Sequence, residues 1–312
     1  MKIGWLSDIH LNFLEDDEIS RFVAELVKVE VDAWMISGDI GESHNLIDYL
    51  NILSDGLRLP LYVVLGNHDY YHSSIVEVTE CIENISSQSN LVMLTRSKPV
   101  FLGEEFSIVG DDGWGDARLG DPIGSQVMLN DFYCISELEG LERDKLIEKL
   151  NKLGNACASR LSSKLEVAAE QSENVCIITH VPPYEGAAWH EGKISKPDWL
   201  PWFSCEAVGN VISECADRHP DVSFRVFCGH THSDGYYRAS DNVFVYTAGA
   251  IYGIPQIQGI LVSEADGSKG QHNCRLQPAE SSLSRQPISG QGAAPVKPNT
   301  EANNNARGIS EQ

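Results

Sequence analysis

Positive charge is what this chain has least of. Its 312 residues include 23 Lys and Arg against 45 Asp and Glu, a formal net charge of -22 at pH 7. An acidic body repels a phosphate backbone, so nucleic-acid binding, which rests on a basic footprint, is disfavoured. No run approaches the roughly 18 apolar residues of a membrane span, and the opening MKIGWLSDIH has no apolar signal-peptide core. No membrane span and a cytoplasmic location are therefore expected. The eight cysteines form no CxxC pair, which removes zinc-ribbon and thioredoxin-type patterns and leaves reduced, buried thiols as the expectation. From Gln277 onward there is no aromatic residue among the Pro, Gly, Ser, Gln and Asn. Such a composition cannot bury enough surface to offset its ordering entropy. The reading is a folded domain over residues 1–276 and a disordered low-complexity tail over 277–312. Arg285, Lys297 and Arg307 balance Glu280, Glu301 and Glu311 in that tail, so the negative charge belongs to the domain. Its field opposes an anionic substrate unless cations are held in the site.

What is present is an alternation. KIGWLSDIH, VDAWMISGDI, PLYVVLGNHD, NVCIITHVPP, SFRVFCGHTH and NVFVYTAGA are strand-length apolar runs that end in polar clusters. Their nearly continuous apolar character suits strands covered on both faces. Between them lie helical patterns. Ile19, Phe22, Val23, Leu26 and Val27 repeat at helical spacing behind Asp16 or Asp17 as a cap. His44 to Leu53, Ser73 to Ile85, Leu141 to Gln171 and Cys205 to Ala216 behave similarly, with Gly154 expected to break or kink the long third segment. Strands alternating with helices imply an α/β fold with ligands beyond the carboxyl ends of the strands. Residues 95–140 interrupt the pattern with a strand or two and then the Gly/Asp-rich DDGWGDARLGD, read as a functional loop.

Five of the strand ends deliver Asp8 and His10, Asp39, Asn67 and His68, His180, and His230 and His232. Imidazole, carboxylate and amide oxygen are ligands for divalent metals. Residues one apart in an extended segment, as in each DxH or HxH pair, can face the same way. Asp39 could bridge two cations about 3.5 to 4 Å apart, which would polarise a phosphoryl oxygen and lower the pKa of water. Hydroxide held between them would attack phosphorus in line, with no covalent enzyme intermediate. Each of these residues alone is an ordinary cap or loop group, whereas five in order favour a shared site. Other polar residues read more plainly. Arg118 is a surface arginine before it is an anion grip. Asp111, Asp112, Asp116 and Asp121 lack EF-hand spacing and form a polar turn. Tyr70, Tyr71, His72, Trp189 and His190 pack in loops, or else line a substrate pocket. His44, His219 and His272 are surface or structural.

The ordered set DxH (Asp8, His10), GD (Gly38, Asp39), GNHD (Gly66 to Asp69), a strand-end histidine (His180) and GHTH (Gly229 to His232) resembles the calcineurin-like metallophosphoesterase superfamily. The resemblance implies an α/β, four-layer metallophosphoesterase-type sandwich of two mixed β-sheets flanked by helices. It implies that Asp8, His10, Asp39 and His232 hold one metal ion and Asp39, Asn67, His180 and His230 a second. The two divalent ions would be manganese foremost, with iron or zinc as alternatives. His68 would protonate the leaving group or bind the transferred phosphoryl group, and Asp69 would orient the site. The sequence departs from the phosphoprotein phosphatase pattern: GDIGES and GNHD replace GDxxDRG and GNHE, Ser43 stands where the arginine would, and Glu42 is the candidate support for His68. The implied activity is metal-dependent hydrolysis of a small phosphorylated molecule, diester or monoester. The alternatives are a non-catalytic interaction scaffold on the same fold and, less well matched to the charge, a nuclease of the same superfamily.

Overall fold

Strands that are apolar on both faces need a cover on each side, and the chain supplies another sheet on one side and helices on the other. The computed structural model describes residues 1–86, 89–103, 105–265 and 272–278. The first part of the chain runs β1 (Lys2–Leu6), α1 (Asp16–Leu26), β2 (Ala33–Ser37), α2 (Leu46–Leu57), β3 (Leu61–Val64), α3 (Ile75–Ser86) and β4 (Leu91–Met93). It continues with β5 (Val100–Phe101), β6 (Phe106–Gly110), α4 (Asp131–Cys134), α5 (Arg143–Gln171) and β7 (Asn174–Ile178). The last part contains the short hairpin β8 (Trp189–His190) and β9 (Lys193–Ile194), then α6 (Leu200–Phe203), α7 (Glu206–Arg218), β10 (Ser223–Cys228), β11 (Gly235–Arg238), β12 (Val243–Thr247), β13 (Ile257–Ala265) and β14 (His272–Gln277).

Two six-stranded sheets result, in the orders β14-β13-β1-β2-β3-β4 and β11-β12-β10-β7-β6-β5. Both are mixed: β1 to β4 are parallel and extended by antiparallel β13 and β14, while β12, β10, β7 and β6 are parallel between antiparallel β11 and β5. Alternate residues decide the layers. Ile3, Trp5, Met35 and Val64 meet Ile108, Cys176, Ile178 and Phe227 between the sheets, with the Trp5 and Phe227 rings edge-to-face at 5.0 Å. The opposite faces take the helices: Trp34, Ile36, Ile177 and Val226 of the strands share one buried cluster with Phe22, Leu53, Leu165 and Ile212 of the helices. The architecture is the four-layer sandwich expected, with the carboxyl ends of β1, β2, β3, β7 and β10 brought together on one rim.

Several local expectations change. Helix α5 is one uninterrupted helix of 29 residues through Gly154. A Cβ on Gly154 would lie 2.5 Å from Asp116 Cβ, so the glycine admits the loop that follows β6 rather than breaking the helix. Helix α2 starts at Leu46 and runs on to Leu57, and α7 continues to Arg218. Gln277, read as the first residue of a tail, pairs with Ile260 as the end of β14; residues 279–312 of that segment lie outside the described residues. Among the described residues no helix is long and apolar enough to cross a membrane. Seven of the eight cysteines are buried or half-buried, Cys81 is exposed, and all are free.

Asp112 ties the strand ends to one another. Its Oδ1 accepts the Leu65 N–H at 2.8 Å and the Thr95 hydroxyl at 2.6 Å, its Oδ2 accepts the Tyr70 hydroxyl at 2.8 Å, and its carbonyl accepts the His180 N–H at 2.7 Å. The carboxylate thus joins segments after β3, β4 and β6, and its backbone adds the segment after β7. Asp112→Ala strands buried donors at three places and is expected to cost about 3 kcal/mol or more. A urea unfolding midpoint unchanged from the parent protein would contradict this bracing role.

Candidate metal centre

Tight turns at the rim aim the polar side chains inward. Of the nine non-glycine residues with positive φ among the described residues, five are Asp8, His10, Asp39, His230 and His232, at 50°, 40°, 55°, 70° and 56°. Each left-handed residue costs on the order of 1 kcal/mol, and such strain persists where the surroundings over-determine it. The glycines of the motifs make room for it. A Cβ on Gly66 would collide with the Asp39 carboxylate, and one on Gly229 with the Asp8 carboxylate and the Ser7 hydroxyl. The GN and GH blocks carry glycine because the acidic groups of the facing loops lie in that space.

The side chains that the sequence singles out converge in two overlapping groups. Ligand atoms of Asp8, His10, Asp39 and His232 all lie within 4.8 Å of one another. The His10 and His232 Nε2 atoms are 3.2 Å apart, and His232 Nε2 is 3.4 Å from Asp8 Oδ1. In the second group Asn67 Oδ1 lies 3.0 Å from His180 Nε2 and 2.9 Å from His230 Nδ1. Asp39 belongs to both. Its Oδ1 accepts the His68 N–H at 2.9 Å, which leaves Oδ2 3.4 Å from His180 Nε2 and 3.7 Å from His10 Nε2.

The outward atoms of these groups fix what faces inward. His180 Nδ1 is 2.8 Å from the Ser37 carbonyl and His230 Nε2 is 3.1 Å from the Trp202 carbonyl, so each ring donates there and turns its other nitrogen to the centre. Asn67 Nδ2 donates to Asp131 Oδ1 at 2.8 Å, which aims Oδ1 inward. Two imidazole nitrogens, an amide oxygen and the Asp39 carboxylate therefore face one another, an arrangement that positive charge relieves, as a proton on His180 or as a bound cation. The residues present fit a divalent ion at each group: nitrogen and oxygen donors, and no thiolate.

The electrostatics agree. Burial would lower His180, but the Asp39 charge and hydrogen bond, the Asp8 charge and the Ser37 carbonyl push it up to about 10. Burial likewise raises Asp39, yet His180, His68 and His10 hold it well below the usual carboxylate range. Asp8, raised by burial and pulled down by its His232 hydrogen bond and by His180, settles at about 2. Burial lowers His10 and His230 to about 3, favouring the neutral rings that bind metals. The pocket holds its carboxylates ionised and calls for positive charge.

Around the ligating atoms, Asp69 accepts four backbone N–H groups: Asp39 and Gly66 on Oδ2 at 3.0 and 2.8 Å, Ile40 and Gly41 on Oδ1 at 2.8 and 2.9 Å. Burial and the Asp39 charge push its carboxyl up to about 7 against the pull of those groups. All four partners are donors, so the carboxylate is the form this geometry binds. Asp69 clamps the GD loop to the GN loop through their backbones. His68 is half-buried, stacked on Tyr71 at 4.3 Å and edge-on to His10 at 4.7 Å.

Some assignments shift. Glu42, the candidate support for His68, instead meets His72 Nε2 at 3.5 Å, His44 Nδ1 at 3.8 Å and Asn12 Nδ2 at 3.3 Å, since its turn is held by Ser43 donating to the Tyr71 carbonyl. Asp131, which no motif marks, stands behind the site and accepts from both Asn67 and the Tyr71 hydroxyl, the latter at 2.7 Å. Arg118 donates to Asp116 at 2.6 Å and Asn155 at 2.7 Å and so braces its loop against α5. Asp111 pairs with Arg160, Asp116 also accepts the Ala207 N–H, and Asp121 caps the Gly124 turn, so these aspartates hold the loop's shape. Tyr70 is in the core, His72 is exposed at the Glu42 turn, and Trp189 packs on Gly235. The His190 ring lies tilted against Trp199 at 4.8 Å beside Phe203, whose ring lies against His230 at 5.2 Å. Two aromatic residues without any sequence signal, Phe13 and Tyr252, stand at the centre's edge.

Residues 1–234 match the family model described as calcineurin-like phosphoesterase. The chain belongs to that family. It is accordingly a metal-dependent phosphoric ester hydrolase, in a family that is dinuclear in its metal dependence. The fold is similar to that of phosphopantetheinyl hydrolase from Mycobacterium tuberculosis, with a TM-score of 0.56 and 14% identity over 80% of this chain and 89% of that one. It is also similar to a dimetal phosphatase from Danio rerio, with a TM-score of 0.54 and 16% identity over 84% and 92% of the two chains. Both likenesses concern the fold. No curated protein matches this calcineurin-like phosphoesterase in sequence.

Asp69→Asn would set an amide donor against a backbone donor and loosen the turn that carries Asp39. Changes in groups that orient ligands cost about 10 to 100-fold in metal affinity. Calorimetric titration with manganese is expected to show a loss of that size in this variant, and parent-like affinity would show the clamp to be dispensable.

Proposed function

We propose that the chain hydrolyses a small phosphorylated molecule at a dinuclear centre in which Asp8, His10, Asp39 and His232 hold one divalent ion and Asp39, Asn67, His180 and His230 the other. One observation carries the reading. Outward hydrogen bonds to Ser37, Trp202 and Asp131 leave His180 Nε2, His230 Nδ1 and Asn67 Oδ1 facing one another beside the Asp39 carboxylate. Two ions in these positions would polarise a phosphoryl oxygen and make a water nucleophilic at neutral pH.

The chain's own groups do the rest. Asp39, with Oδ1 tied to the His68 N–H, presents Oδ2 to both groups and sets their spacing. His68, stacked on Tyr71 beside His10, is the imidazole placed to hand a proton to the leaving oxygen or to hydrogen-bond the transferred phosphoryl group. Asp69 holds both loops at the same distance through the reaction. The nitrogen and oxygen donor set suits manganese, with iron or zinc as alternatives. A net charge of -22 argues against a nuclease and for a substrate small enough to be recognised at the centre itself.

Chelator-treated protein is expected to lose hydrolysis of bis(4-nitrophenyl) phosphate or 4-nitrophenyl phosphate and to regain it with manganese. His68→Ala is expected to lower kcat by about 10² to 10⁴-fold while metal content stays the same. No turnover of either ester with manganese, iron or zinc would defeat the assignment, and full activity in His68→Ala would remove that residue's role.

A further inference from the structure

Large aromatic groups stand half in solvent beside the metal centre, where a folded chain has no reason of its own to keep them. Tyr252 is 46% exposed and Phe13 51% exposed, and their rings meet at 4.7 Å. The Tyr252 ring also lies 4.6 Å from the His10 ring and 4.9 Å from that of His232. Ile251 and Ile254, 63% and 51% exposed, continue the apolar surface along the same turn. That turn is pinned. Ala250 N–H donates to the His232 carbonyl at 3.2 Å, and the Gln256 and Gln258 amides both donate to the Gly249 carbonyl, at 3.0 and 2.8 Å. An apolar shelf held in place against two ligating histidines is continuous with the reaction site, and contiguous exposed apolar surface of this kind marks a binding site.

Charge narrows what the shelf receives. Four basic side chains of the loops and helix around the centre are committed elsewhere: Arg118 to Asp116, Arg160 to Asp111, Lys164 to the Leu94, Thr95 and Gly110 carbonyls, and Arg143 over the Trp202 ring. None of the hydrogen bonds or ion pairs made by Asp8, His10, Asp39, Asn67, His180, His230 or His232 involves a lysine or arginine. A phosphomonoester dianion brings one more negative charge into this acidic surround than a diester does, and no guanidinium or ammonium stands among the partners of the ligating residues to meet it.

Resting on the dinuclear phosphoesterase reading above, we infer that the substrate is a phosphodiester whose non-departing arm is apolar or planar and lies on the Phe13–Tyr252 shelf. The departing arm is the one on the His68 side. Tyr252 is 6.2 Å from the His68 ring, farther than from His10 or His232, so the arm over the shelf keeps its oxygen on phosphorus. Water adds its oxygen to phosphorus, the ester bond on the His68 side breaks, and the departing oxygen takes a proton. The products are an alcohol and a phosphomonoester that still carries the apolar arm.

Binding can be read without turnover by using acids whose P–C bonds cannot be hydrolysed. Calorimetric titration of the manganese-loaded protein with diphenylphosphinate, dimethylphosphinate and phenylphosphonate is expected to rank diphenylphosphinate about tenfold ahead of both others. Phe13→Ala and Tyr252→Ala are expected to erase the advantage over dimethylphosphinate, and Tyr252→Phe, which keeps the ring, to preserve it. Turnover of bis(4-nitrophenyl) phosphate is to exceed that of 4-nitrophenyl phosphate. Equal binding of the two phosphinates, a preference that survives both alanine variants, or a preference for the monoester would overturn this inference and leave the phosphoesterase reading standing. Failure to hydrolyse either nitrophenyl ester with any of the three metals would overturn both.

Discussion

Asp39 is held from both ends. Its N–H is bound by the Asp69 carboxylate, its Oδ1 by the His68 N–H, and its remaining oxygen looks toward His10 on one side and His180 on the other. Everything else at the rim is arranged around that oxygen. The two sheets meet there because β2, which leads into Asp39, lies beside β1 and β3 in one layer, and the Ser37 carbonyl at its end receives His180 from the segment after β7 in the other. A carboxylate shared by two cations needs this double restraint, since a side chain free to rotate would serve one ion or the other.

The cost of that arrangement is spread through the backbone. Left-handed residues at Asp8, His10, Asp39, His230 and His232, and the polar atoms of His180, His230 and Asn67 crowded into one buried place, all oppose folding. Buried carboxylates offset part of it by collecting donors. Asp69 gathers four N–H groups, Asp112 an N–H and two hydroxyls, and Asp131 an amide and a phenol. The same acidic loops that make the body of the protein unfriendly to anions are thus the supports of a centre that calls for cations.

Much of this is legible in the sequence because chemistry and topology coincide at strand ends. An apolar run followed by Asp, Asn or His gives both a strand and the direction of its last side chain, and five such ends name both sheets' shared rim. What was not legible depends on contacts between distant segments. Gly154 resembles a helix breaker until Asp116 is found against it. Glu42 is near His68 in motif order but its carboxylate turns to His72 and His44, whereas Asp131, 64 positions from Asn67, carries the hydrogen bond that orients it. Strand β13 pairs with β1 from the far end of the domain, and no local pattern announces that register. Phe13 and Tyr252 have no periodicity at all, since a loop aromatic looks the same whether it packs or waits for a ligand.

The direct test is anomalous diffraction from crystals of the manganese-loaded protein. Two peaks about 3.5 to 4 Å apart, with Asp39 within bonding distance of both and His180 and His232 on different ions, are what the shared-carboxylate geometry requires. A single peak, or two peaks of which Asp39 touches only one, would contradict it.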